Sequence, residues 1–280
     1  AEQQRAKCQL YVILARSAST AVVFRRGPTK QVRLILWDRH DDSFTPGQWL
    51  KGRIYERRGD LSPNGRRLVY FASNGKDTWT AISNPPFLTA LALWPSDGTY
   101  AGRRLFTSDH DVLTNHTPDR MAPDPSKGTP KIRYTRLAEF GGRGEDDPIW
   151  HVRRVRDGWT LVTEGQAERP NDERASWVFS EPQVYEKSNG LKGKRHGILR
   201  ERLLGVHEVM GDTYALEYDV GHVAIGRAHW ADWDRNGDLL LSQDGRLYRS
   251  AHPYTERREL ADFRDQTFEP MAPDEAALRW

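Results

Sequence analysis

The stretch with the clearest chemical potential is Asp232-Trp233-Asp234-Arg235-Asn236-Gly237-Asp238. Side-chain oxygens recur at alternate positions and glycine stands sixth. A calcium loop begins this way, because hard oxygen ligands must turn toward one ion and the glycine permits the sharp bend between them. Such a loop also needs a bidentate glutamate at its twelfth position, which here is Gln243. A neutral amide supplies neither the charge nor the second oxygen. Asp232, Asp234, Asn236 and Asp238 are the candidate calcium ligands. The competing reading is a tight turn whose carboxylates accept from its own backbone N–H groups. The expectation is no cofactor, with calcium as the alternative.

Other chemistry leaves little trace. There are nine histidines, and none forms a His-x-x-x-His or His-Glu-x-x-His pair. His110 and His116 flank Asp109 and Asp111, which could share one rim of the molecule. No Gly-x-Ser-x-Gly elbow, phosphate-binding loop or dinucleotide fingerprint is present. Cys8 is the single cysteine, so no internal disulfide can form. A second constellation suits binding rather than catalysis. Trp49 and Tyr55 interleave with Arg53, Arg57 and Arg58, the residue types that carry most energy in protein interfaces. The alternative is that these aromatics fill space between packed sheets.

Strands and turns must position these groups. Asn64-Gly65 and Asn236-Gly237 each lie between apolar runs, the strongest short signal for a hairpin, with a type I′ turn expected. The two hairpins match: Asp60 with Asp232, Asn64 with Asn236, Gly65 with Gly237, Leu68 with Leu240, at an offset of 172 residues. That is four steps of about 43, the length of one four-stranded propeller blade. Asp60-Leu61-Ser62-Pro63-Asn64-Gly65 followed by Leu68-Val69-Tyr70 resembles the Ser-Pro-Asp-Gly-x-x-Leu-x-Tyr hairpin of WD-like β-propeller repeats in bacterial proteins. Asn64 replaces the usual Asp, and of the two Trp-Asp pairs Trp37-Asp38 ends an expected strand as a blade-closing pair does, while Trp233-Asp234 lies in the hairpin itself. The resemblance implies a fold and brings no catalytic residues with it.

The expected architecture is all-β: a single β-propeller over 1–280, with about five to six four-stranded blades. Three strands precede the Gly47 blade, so a C-terminal strand is expected to complete the first blade, or Cys8–Phe24 the last. Strands are also expected at 149–155, at 198–210 either a short helix or strands, and at 271–280 a short helix. Arg156-Asp157-Gly158 reads as a hairpin turn. Thr117–Pro130 carries four prolines and little to bury, so it reads as a long exposed loop, either an insertion or a binding lid.

Composition narrows the partners. The chain has 42 basic and 39 acidic residues, a net charge of +3. That even balance disfavours a nucleic-acid partner, whose binding rests on a basic field. No window approaches the roughly 18 apolar residues of a membrane span. A cytoplasmic location is the default expectation, with a removed signal peptide as the alternative. The functional expectation is a non-catalytic propeller that binds another protein. The rivals are a divalent-metal hydrolase of the lactonase type, with its site at the central channel, and a carbohydrate-binding propeller.

Overall fold

The computed structural model describes residues 8–96, 98, 104–114, 124, 132–136, 149–169, 176–207 and 213–280. The Thr117–Pro130 segment, apart from Asp124, lies outside the described residues, as does His116. The fold is all-β and mostly antiparallel, in five sheets that follow one another along the chain.

The first sheet is β1 (Gln9–Leu14), β2 (Thr20–Arg26), β3 (Gln31–Asp38) and β4 (Ser43–Lys51), in that order. In the second, β5 (Arg53–Ile54) and β6 (Asp60–Leu61) both pair with β7 (Leu68–Ser73), followed by β8 (Thr78–Ser83) and β9 (Ala92–Ser96). The third holds β10 (Arg104–Phe106), β11 (Asp111–Thr114) and β12 (Arg133–Arg136), and its β11–β12 pair is parallel. Helix α1 (Ile149–Arg156) leads to the fourth sheet. That sheet holds β13 (Thr160–Thr163), β14 (Gln166–Glu168), β15 (Ser176–Ser188), β16 (Ile198–His207), β17 (Thr213–Val220) and β18 (Val223–Arg227). The fifth is β19 (Trp230–Trp233), β20 (Leu239–Gln243), β21 (Arg246–Ser250) and β22 (Arg258–Asp262).

The chain divides into two compact units. One comprises Ala1–Leu10 with Arg154–Asp265, the other Tyr11–Arg153 with Gln266–Trp280. The first unit packs Trp159, Leu199, Leu216, Tyr218, Leu239 and Leu241 in one apolar cluster. In the second, Val69, Ile82, Trp94, Phe106 and Val112 form a cluster against which Trp280 packs. Strand β2 lies inside its sheet, and Ala21 through Arg25 are all buried. This agrees with the apolar residues on both faces of these strands.

Several expectations change. Each end sheet is complete in itself, with no strand borrowed from the far end of the chain among the described residues. The fourth strand of the first sheet is Ser43–Lys51, which carries Pro46. As the edge of its sheet, β4 tolerates a proline that cannot donate. Residues 149–155 are helical: Ile149, Trp150, Arg153 and Arg154 are buried while Val155 is exposed, a helical rather than an alternating face. Asp157-Gly158 therefore closes a helix, with Gly158 at φ +90° donating to Val155 O at 3.1 Å. Residues 198–207 form a strand.

The two matching hairpins lie in the second and fifth sheets, three sheets apart rather than four, because the fourth sheet has six strands. Nor are their turns of type I′. Gly65 (φ +75°) and Gly237 (φ +84°) take positive φ, while neither asparagine does. The first loop runs from Ser62 to Arg67, with Leu61 paired to Leu68; the second pairs Trp233 with Leu239 and is one residue shorter. Ser62 Oγ accepts from Arg67 N at 2.9 Å and Asn64 Oδ1 from Arg66 N at 2.9 Å, so side chains complete the wider turn.

No helix among the described residues is long and apolar enough to cross a membrane.

Candidate interaction surface

The acidic hairpin of the fifth sheet divides its carboxylates between two cations. Asp232 Oδ1 accepts from Lys187 Nζ at 2.6 Å and from Trp233 N at 2.7 Å. Asp234 Oδ2 accepts from Arg249 Nη1 at 2.6 Å, and Asp238 Oδ2 stands 3.3 Å from the same nitrogen. Asn236 serves the turn: its Nδ2 donates to Asp238 Oδ2 at 2.8 Å and its Oδ1 accepts from Asp238 N at 3.0 Å. Asp232 thus reaches toward β15, apart from Asp234 and Asp238. Among the described residues no group of three or more His, Cys, Asp or Glu side chains could hold a metal ion.

Neither Lys187 nor Arg249 stands out in the sequence. The signal for Arg249 is register: β20 places Leu240 opposite both Asp232 and Arg249, one strand to either side. Lys187 lies 45 residues from its partner and on another sheet, and no local pattern pairs them. At the rim, Asp109 Oδ1 accepts from Asn64 N at 2.9 Å. Asp111 pairs with Arg133 at 2.7 Å, and the hydrogen bond from that guanidinium holds its carboxyl well below the usual range, at about 2.

The aromatic and arginine group separates by depth. Tyr55, Arg57 and Arg58 are buried, Arg58 completely. Arg58 stands 4.2 Å from the Tyr55 ring centre and 5.1 Å from that of Phe71. Arg57 lies 5.0 Å from Tyr11 and 5.3 Å from Trp150. The expectation that these three form a surface is corrected. A 3-10 turn at Glu56–Arg58 tucks between β5 and β6, held by Tyr55 N to Phe71 O at 2.9 Å and by Arg153, which donates to Glu56 O and Gly59 O. Arginine suits such a site because its flat guanidinium stacks on aromatic faces and sheds water more readily than an ammonium.

Half-buried Trp49 and Arg53 are what remains near the surface. Arg53 covers the Tyr55 ring at 4.0 Å. Trp49, on edge strand β4, has Arg25 at 5.5 Å, Arg33 at 5.4 Å and the Phe268 ring at 5.9 Å. Lys51 stands 4.5 Å from the Phe268 ring centre. Burial lowers the Arg33 guanidinium from its ordinary value; Glu269 opposes that shift and Arg25 adds to it.

Phe268 belongs to Gln266–Trp280, which lies on the second unit and, apart from a 3-10 turn at Ala276–Leu278, has no regular structure. Two side-chain amides hold it. Gln48 Oε1 accepts from Leu88 N at 2.7 Å and Thr89 N at 3.0 Å, which directs Nε2 to Met271 O at 3.0 Å. Asn84 Nδ2 donates to Ala276 O at 2.7 Å and to Arg279 O at 2.8 Å. Ala277 is fully buried, and Trp280 packs on the core cluster with Arg67 5.9 Å from its ring. The short helix expected at 271–280 is thus a single 3-10 turn, and no local pattern in the sequence points to its seat.

No protein-family model matches the chain. Comparison with curated proteins returns no match. Among solved structures, an uncharacterized protein from Listeria monocytogenes is similar at 10% identity and TM-score 0.32, over 95% of this chain and 86% of that one. A putative 6-phosphogluconolactonase from Bacteroides fragilis is similar at 10% identity and TM-score 0.33, over 92% and 95%. The β-propeller domain of Myceliophteria thermophila Cps50 (Swd1) is similar at 11% identity and TM-score 0.21, over 95% and 74%. Likenesses of this size carry no argument about function.

Proposed function

We propose that the chain is a non-catalytic β-propeller whose role is to bind another protein. In this reading the chain is one propeller over 1–280, with the repeated Asp…Asn-Gly hairpin in two of its blades; its sheets hold from three to six strands, so the five to six uniform four-stranded blades expected from the sequence are not proposed. The supporting observation is the grouping on edge strand β4. Trp49 is half-buried there with Arg25 and Arg33 about its ring and Lys51 beside it. Interface energy concentrates in tryptophan and arginine at half-sheltered positions of this kind, where one face is packed and the other can be covered by a partner.

Affinity capture from the native host, using the tagged full chain, tests this reading when combined with metal analysis of the purified protein. A protein recovered in stoichiometric amount, and lost with Trp49→Ala, supports it. A tightly bound divalent metal with no protein partner would replace it with the metal-dependent hydrolase, and selective retention on glycans with the carbohydrate-binding propeller.

A further inference from the structure

We propose that the surface now covered by Phe268–Trp280 is a peptide-docking site, and that its partner is an acidic, extended segment of another protein carrying aromatic anchors. The chain's own C-terminal segment occupies the site in the manner of a bound peptide and must lift for the partner to enter. This rests on the protein-binding reading above and adds to it the face and the kind of partner.

Three features of the seat carry the inference. The first is how the segment is held. Gln48 and Asn84 address backbone carbonyls at Met271, Ala276 and Arg279. Amides that read main-chain atoms accept many sequences, as in extended-peptide recognition. The second is anchoring by two aromatics twelve positions apart, Phe268 against Trp49 and Trp280 against the core cluster. Between them the segment is largely exposed, with Met271 at 37% and Leu278 at 59%, and forms no strand pairs with the sheets beneath. Apart from the anchors, the Gln48 and Asn84 amides and buried Ala277, the segment is exposed, so lifting it breaks no strand ladder and costs less than opening a sheet.

The third feature is charge. Residues 266–280 carry Glu269, Asp274 and Glu275 against the single base Arg279. The seat presents Arg33, Lys51 and Arg67, and Glu269 lies close enough to Arg33 to favour its charged form. Complementary fields of this kind select partners by sign and speed their encounter.

The test uses the full chain and a fluorescein-labelled synthetic peptide of residues 266–280. Replacing Phe268 and Trp280 by alanine weakens the resident segment and leaves the seat intact. If the seat is open only about one-tenth of the time in the parent, the double variant binds the peptide about tenfold more tightly. A peptide with Glu269, Asp274 and Glu275 changed to amides should bind more weakly, as should the parent peptide to a variant that also carries Lys51→Glu. Equal affinity for parent and double variant, or indifference to the peptide's charge, overturns the proposal. So does a dimer by light scattering in which residues 266–280 are protected by a second copy, since the occupant would then be this chain. Should the double variant fail to fold, Phe268→Ala at its half-buried position makes the same comparison, and no gain in affinity there is equally decisive. If the peptide fails while affinity capture still returns a partner whose recovery is unchanged both in the Phe268, Trp280 double variant and in Lys51→Glu, the docking face is wrong and the protein-binding reading stands.

Discussion

Arg154 donates from Nη1 to Glu201 Oε1 at 2.6 Å inside the apolar cluster of the first unit. Tyr218 donates to the other carboxylate oxygen at 2.6 Å, and the guanidinium lies 3.7 Å from the Tyr185 ring centre and 4.7 Å from that of Trp159. Both charges are withdrawn from water, so each depends on the other. Removing one, as in Glu201→Leu, should destabilise the protein by about 3–5 kcal/mol, whereas Arg154→Met with Glu201→Leu should recover most of that loss. Urea unfolding of the two single variants and the double variant measures it. Additive losses would show that the pair is not coupled.

The acidic hairpin makes a second prediction. Asp234→Asn keeps the size of the side chain and loses a charge-assisted bond to Arg249, which is itself largely buried. The expected cost is about 1.5–3 kcal/mol, more than a neutral turn hydrogen bond contributes. Calcium should leave the melting temperature of the parent unchanged, since only a ligand that prefers the folded state raises it. A calcium-dependent rise in the parent that vanishes in Asp234→Asn would make the hairpin an ion site.

Gly47 lies where β4 passes the Pro85-Pro86 turn. A Cβ there would stand 2.0 Å from Pro86 O and 2.7 Å from Leu34 O, both backbone atoms, while Gln48 N donates to Pro86 O at 3.1 Å. Gly47→Ala therefore forces the turn and the strand apart. A loss of about 1–3 kcal/mol or more is expected from overpacking against rigid backbone. An unchanged melting temperature would contradict it.

Asp262 sets a pH dependence. The side-chain hydrogen bonds from Arg264 hold its carboxyl down at about 2. A carboxylate depressed in the folded state stabilises it above the unfolded value of about 4, and that contribution disappears as pH falls from about 4 to about 2. The stability difference between parent and Asp262→Asn should be constant above about pH 5 and shrink across that window. Because the group is near the surface, the effect should be small and reduced further by salt. A difference that grows as pH falls would have the wrong sign.

Local pattern was enough for the all-β class, the strands β2 and β3, and the hairpins at Asn64-Gly65 and Asn236-Gly237. These depend on neighbours in sequence: side chains alternate across a strand with period two, and glycine enters positive φ without a steric penalty. The same reasoning failed at 149–155, where a short run of mixed Ile, Trp, Val and Arg suits either period, and burial decided for the helix.

What only the tertiary structure decided was the fate of the charges. Asp232 meets Lys187, Asp234 meets Arg249, and Glu201 meets Arg154, across 45, 15 and 47 residues. Arg57 and Arg58 look like surface residues by type and prove to be interior, because the Trp150 ring of helix α1 and the Phe71 ring of β7 close over them. Gln48 and Asn84 meet a segment 223 and 192 residues further on. Coulombic and stacking partners are chosen by distance in space. A linear pattern carries which residues need a partner, and only the folded chain determines which partner each one finds.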